Sequence, residues 1–135
     1  MGEQPLQSSE TSEGDSPAIS QTEFQSLVEM VGPEMPDVLL DLLNTYLEES
    51  AGLVGAIQNG FDQGDLSSML RPAHSLKSSS ASIGAVRLSR LCADLEAHLR
   101  GSLPGLDVPK QVLQIAGEFA RVQRGLATEK AKLEQ

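Results

Sequence analysis

Tryptophan is absent from this 135-residue chain, cysteine occurs once, and aromatic residues make up only 3% of it. The single Cys92 excludes an internal disulfide and any multi-cysteine zinc site, and it suits a reducing compartment. With so few rings, aliphatic side chains must fill the core, and 39% hydrophobic residues suffice for one. Positive charge is scarce as well: 10 Lys and Arg stand against 19 Asp and Glu, a formal net charge of −9. That balance argues against a nucleic-acid partner and against anionic membranes. No apolar run approaches the roughly 20 residues of a membrane span, and the N-terminus lacks a basic-then-apolar signal pattern. Nor does the opening Met-Gly announce myristoylation, because Leu6 stands where Ser or Thr is required. These absences predict a cytoplasmic protein.

What is present is mostly helix-forming: Leu, Ala, Gln, Glu and Ser. Residues 1–18 are an exception. They are rich in Ser, Glu, Gly and Pro and nearly free of apolar side chains, so they are predicted to be a disordered tail or linker. Residues 19–135 form the predicted domain. Ser20 and Glu23 have capping-box spacing ahead of Phe24, Leu27, Val28 and Val31, and Gly32-Pro33 ends that short helix. A long helix follows over about 36–59, with Met35, Leu39, Leu42, Leu43, Tyr46, Leu53, Val54 and Ile57 on one stripe and Gly60 as its stop.

Asp65 is placed to cap a third helix whose inward stripe is Leu66, Met69, Ala73, Leu76, Ser80 and Ile83, ending at Gly84. Pro72 inside it lacks an N–H and clashes with the carbonyl of Ser68, which predicts a kink or break near 68–71. A fourth helix over about 86–100 buries Leu88, Leu91, Cys92, Leu95 and Leu99. A last one carries Val112, Ile115, Phe119, Val122 and Leu126, with Pro109 in its first turn. Short connections between long amphipathic helices predict an all-α, antiparallel four-helix bundle with the short N-terminal helix across one end.

Five cations, Arg71, Lys77, Arg87, Arg90 and Arg100, cluster in the middle of this acidic chain, around a histidine with an unusual position. On the third helix His74 points about 120° away from the core direction, with Arg71, Ser78 and Ala81 on its outward side and Lys77 at the boundary. A neutral imidazole is a nucleophile near pH 7, and a phosphoryl group on it brings nearly two negative charges. Lys77, three residues on, can reach a phosphate oxygen, while small Ser78 and Ala81 leave room for a partner. Cys92 reads as a packing residue, His98 as surface, the remaining serines of this helix as small packing residues, and the helical acids as solvated faces. Arg87 and Arg90 could border the docking face.

Here the chain resembles histidine-containing phosphotransfer (HPt) domains, whose pattern is close to A-H-x-L-K-G-x-S-x-x-x-G-A followed by L-x-x-L-C-x-x-L-E. Ala73, His74, Leu76, Lys77, Ser80, Gly84 and Ala85 match the first part; Leu88, Leu91, Cys92, Leu95 and Glu96 match the second. Ser78 replaces the family's glycine after the lysine. The resemblance implies that His74 is the phosphoacceptor, that Lys77 assists the phosphoryl group, and that Gly84 makes the tight turn between the two active helices. Around His74, the residues Arg71, Ser75, Ser78 and Ala81 are the predicted receiver-docking surface.

By the same resemblance the chain accepts phosphate from a receiver aspartate or a histidine kinase and passes it to a response-regulator receiver, which supplies Mg²⁺. It needs no cofactor or metal of its own and is neither kinase nor phosphatase; a monomer is predicted, because an accessible His74 leaves no reason to bury its face. Two alternatives stay open: a substrate domain of a larger sensor kinase, or an adaptor that binds receivers without phosphotransfer. A sensor-kinase dimerisation domain fits poorly, since Ser75 follows the histidine where an acid is wanted. No nucleotide loop or catalytic dyad appears.

Overall fold

The computed structural model describes residues 16–134. Among them, every regular element is helical: α1 (Gln21–Val31), α2 (Pro36–Asp62), a 3₁₀ turn (Leu66–Met69), α3 (Leu70–Ile83), α4 (Val86–Leu99) and α5 (Val108–Leu133). The last four α-helices pack in a ring, each against the two beside it: α2 on α3, α3 on α4, α4 on α5 and α5 on α2. Consecutive neighbours joined by short connections must run up and down, as in the bundle the periodicity predicts. Leu43, Ile57, Met69, Leu76, Leu88, Leu95, Ile115 and Leu126 are fully buried along the axis, so the core is aliphatic as the composition requires.

The ends of the helices follow local chemistry. Gly84 closes α3 in the left-handed conformation (φ 92°), and the Ala85 N–H donates to Ser80 C=O at 2.8 Å behind it. A side chain there would be crowded, because a Cβ on Gly84 would lie 3.1 Å from the Ser20 carbonyl oxygen and 3.2 Å from the Phe24 nitrogen, both backbone atoms. That close approach seats α1 over the α3–α4 turn, with the Ser20 N–H donating to Gly84 C=O at 2.8 Å. The capping box closes side chain to side chain, Ser20 Oγ donating to Glu23 Oε1, with no bond from the Ser20 hydroxyl to the helix backbone. At the start of α5, Asp107 accepts from the Lys110 N–H at 3.1 Å, and Pro109 occupies the first turn.

Several details depart from expectation. The break demanded by Pro72 takes the form of a change of helix type: the 3₁₀ turn ends at Met69 and α3 begins at Leu70, so Pro72 falls in a first turn that needs no N–H from it. Gly60 does not stop α2, which continues to Asp62. A Cβ there would meet Ser68 Oγ at 2.6 Å and Met69 Cγ at 2.7 Å, so it lets the 3₁₀ turn lie against the helix. Met35, Leu42 and Leu66 are exposed, while Leu39, Leu43, Tyr46, Val54 and Ile57 carry the inner face of α2. Most of the predicted tail, residues 1–15, lies outside the described residues. Of the rest, Ala18 is buried together with Ile19, and Arg121 donates to the Ser16 carbonyl, so a boundary at residue 18 cuts through a packed segment.

Candidate functional site

His74 sits in the second turn of α3, just after the 3₁₀ junction, with 54% of its side chain exposed. Across from it, α4 presents Glu96, whose side chain keeps only 7% of its surface in water. A buried carboxylate needs partners, and three converge on this one. His74 Nδ1 lies 2.8 Å from Glu96 Oε2, Lys77 Nζ lies 2.6 Å from Oε1, and Arg100 donates to Oε2 from Nε at 3.1 Å and a terminal nitrogen at 3.0 Å. The Lys77 hydrogen bond is the strongest influence on Glu96. Burial opposes it, but the bonds from His74 and Arg100 add to it, and the carboxyl is held down at about 2.

This geometry assigns the imidazole tautomer. An ionised carboxylate can only accept, so Nδ1 must carry the hydrogen that points at Glu96. In the neutral ring the lone pair is then on Nε2, the nitrogen farther from Glu96. A carboxylate behind a histidine in this way orients the ring and stabilises positive charge that develops on it. The frame around it is rigid: Ser89 Oγ of α4 donates to Lys77 C=O of α3 at 2.8 Å, and Tyr46 and Ser80 share a buried hydroxyl–hydroxyl bond at 2.8 Å. Burial pushes the Tyr46 hydroxyl up from its ordinary value.

The residues singled out in the sequence mostly share one face. Arg71, Ser78 and Ala81 are exposed beside His74 and Ser75 is half-buried. Lys77 does not extend into solvent but folds back onto Glu96, one third exposed. Gly84 lies at the far end of α3, where it shapes the turn. On the other flank of α3 an open groove of about 490 Å³ runs between Ser79, Ser82 and Ile83 and the α2 residues Val38, Leu42, Thr45 and Tyr46, with Asp41 and Glu49 alongside. Arg87 is not at the His74 face. It lies 3.4 Å from Glu118 Oε1 on α5.

Glu96 is the residue bonded to His74 that the sequence pattern matched without suggesting a task for it. A signal existed: it stands four residues after Cys92 and three before Leu99, on the buried stripe of its helix, where an acid requires a cation. The reading of helical acids as solvated faces fails for Glu96, Glu118 and Glu129, all buried. His98 is also more than a surface residue, since it is half-buried and its Nδ1 is bonded to Leu103 C=O at 2.8 Å. Cys92 is fully buried, and burial pushes its thiol up to about 12, which leaves it a packing residue.

The family model for the Hpt domain matches residues 41–125, the span that holds His74, Lys77, Glu96 and Arg100. The chain belongs to the Hpt domain family. A solved structure, that of the histidine-containing phosphotransfer protein B (HptB) from Pseudomonas aeruginosa PAO1, is similar to this chain with a TM-score of 0.74. The two are 27% identical, and the match covers 87% of this chain and 98% of that one. No curated protein sequence matches. As an Hpt domain the chain is a histidine phosphotransfer protein of phosphorelays, a class whose partners are kinases and response regulators. No helix among the described residues is long and apolar enough to cross a membrane.

Proposed function

We propose that His74 carries the phosphoryl group, taking it from a phosphorylated aspartate of one receiver domain, or from a histidine kinase, and passing it to the receiver of a response regulator. One observation carries this reading: a solvent-facing imidazole whose Nδ1–H is bound by a buried, ionised carboxylate, Glu96. Nε2 attacks phosphorus, the bond from phosphorus to the donor carboxylate oxygen breaks, and its electron pair leaves with the aspartate. The Nδ1 proton stays where it is, and the positive charge gained by the ring faces Glu96. Lys77, 2.6 Å from Glu96 Oε1, needs only a swing of its flexible stem to reach a phosphoryl oxygen. Return of the group to a second aspartate is the same displacement in reverse.

The docking surface is the face around His74, with Arg71, Ser75, Ser78 and Ala81 at its centre and the groove between α2 and α3 extending it. Exposed Val38 and Leu42 supply apolar contact area there, and small serines let a partner approach the α3 backbone. The chain works as a monomer in the cytoplasm, holds no metal or cofactor of its own, and has no kinase or phosphatase activity. The receiver brings Mg²⁺ and the groups that act on the phosphoryl oxygens.

Transfer from a radiolabelled, phosphorylated receiver tests this. Label moves to the wild type, is lost in acid and survives base, and His74→Gln takes up none. Uptake by His74→Gln contradicts the assignment, and failure of several receivers to label the wild type favours a receiver-binding adaptor.

A further inference from the structure

Lys77 has two claims on it in the proposed reaction. Before transfer it forms the shortest bond to Glu96, at 2.6 Å, and once His74 is phosphorylated a doubly charged group competes for the same ammonium. A Glu96 that lost Lys77 with nothing in its place would be a buried anion, 7% exposed, held only by an imidazole N–H. Such a carboxylate takes up a proton more readily, and a protonated Glu96 holds the Nδ1–H less firmly.

Arg100 resolves the conflict. It stands one turn beyond Glu96 on α4, and its Nε and a terminal nitrogen both donate to Oε2, the oxygen that also accepts from His74 Nδ1. Lys77 uses the other oxygen, Oε1. The two cations are thus divided between the two carboxylate oxygens: the exchangeable one on Oε1, and a fixed one on the oxygen that orients the ring. Glu four residues before Arg is the favourable order along a helix, and the planar guanidinium suits two donors to one carboxylate. The charged or titratable groups bonded to Glu96 are therefore His74 and Lys77 from α3 and Arg100 at the C-cap of α4.

Building on the phosphocarrier reading, we infer that Arg100 is a positioning residue for phosphotransfer: it keeps Glu96 ionised and hydrogen-bonded to His74 Nδ1 while Lys77 moves to the phosphoryl group. Its bonds go to Glu96, and it acts through that carboxylate. About half of its side chain is exposed at the end of α4, so its replacement leaves the core intact.

The experiment is a double-mutant cycle read in two ways, by the rate of phosphoryl uptake from a labelled receiver and by ¹⁵N NMR of the His74 ring in the unphosphorylated protein. Arg100→Gln is expected to slow uptake roughly 3- to 10-fold, less than loss of a group bonded directly to the ring, and Arg100→Lys to recover most of it. The same substitution lowers the Nδ1–H population of His74, most clearly when combined with Lys77→Gln. In a Glu96→Gln background, Arg100→Gln has no further effect on either reading. Unchanged uptake in Arg100→Gln overturns the inference. So does an equal loss in the Glu96→Gln background, which would place Arg100 in direct contact with the receiver. A wild type that accepts no label sinks the phosphocarrier reading instead, and the NMR populations then still decide whether Arg100 acts on the ring through Glu96.

Discussion

Two buried glutamates, Glu96 on α4 and Glu118 on α5, solve the same electrostatic problem for different ends. Both are almost fully covered, and both are held by basic side chains. Glu118 takes Arg121 at 2.9 and 3.2 Å and has Arg87 at 3.4 Å, while Arg121 also donates to the Ser16 carbonyl. That cluster ties α4, α5 and the N-terminal segment together. Glu96 takes one lysine, one arginine and a histidine. The arginines at Glu118 cannot lose their charge or attack a phosphorus atom, whereas an imidazole can do both. A buried acid ringed by cations is therefore not a site in itself. What sets Glu96 apart is the titratable imidazole among its partners.

The two acids part most clearly when Glu118 is removed. Glu118→Ala removes the acid that Arg121 and Arg87 approach and is expected to destabilise the fold by about 2–3 kcal/mol, below the value for a fully buried pair because both arginines keep some contact with water. Urea unfolding measures this, and phosphoryl uptake under native conditions stays within about twofold of wild type because Glu118 has no part in orienting His74. Glu96→Gln should do the reverse. Uptake falls roughly 10- to 100-fold, equivalent to about 1.4–2.7 kcal/mol of barrier, because an amide no longer enforces the Nδ1–H tautomer. Equal losses of uptake from both substitutions would show that the two clusters differ only in position.

Gly84 belongs to neither cluster. Alanine there is strained at φ 92° and meets the Ser20 carbonyl, so Gly84→Ala is expected to cost about 1–2 kcal/mol in urea unfolding and to loosen α1. A pH dependence sharpens the contrast further. Glu96 is held at about 2, below its ordinary 4.5, so the folded chain binds fewer protons than the unfolded one between those values. Its stabilising contribution is complete above about pH 4.5 and is lost as pH falls toward 2. The difference in unfolding free energy between wild type and Glu96→Gln should therefore shift against the wild type over that window. A difference that stays level across it would contradict the ionised, tightly held carboxylate.

The bundle was legible in the sequence because each helix announces its inner face through its own period. Leu39, Leu43, Tyr46, Val54 and Ile57 need no knowledge of a neighbour to be placed inside, and Pro72 alone locates the change of helix type. The placement of His74 and Lys77 side by side was legible as well, since both lie on one helix at known spacing. Glu96 was not, because its task depends on the register between α3 and α4, which no single helical wheel contains. Gly60 misled for a related reason: a glycine near a helix end serves equally as a stop or as a point of close packing, and only the 3₁₀ turn across from it decides. Ala18 and Ile19 were hidden by the polar composition before them, although Ile19 packs against Gly125 of α5.

With Glu96 holding the Nδ1 proton, phosphorylation is expected on Nε2 of His74. Combined ³¹P and ¹⁵N NMR of the phosphorylated, ¹⁵N-histidine-labelled protein tests it most directly. One phosphohistidine is expected, with phosphorus coupled to Nε2 of His74 and the proton retained on Nδ1. Phosphorus coupled to Nδ1, or found on His98, would contradict it.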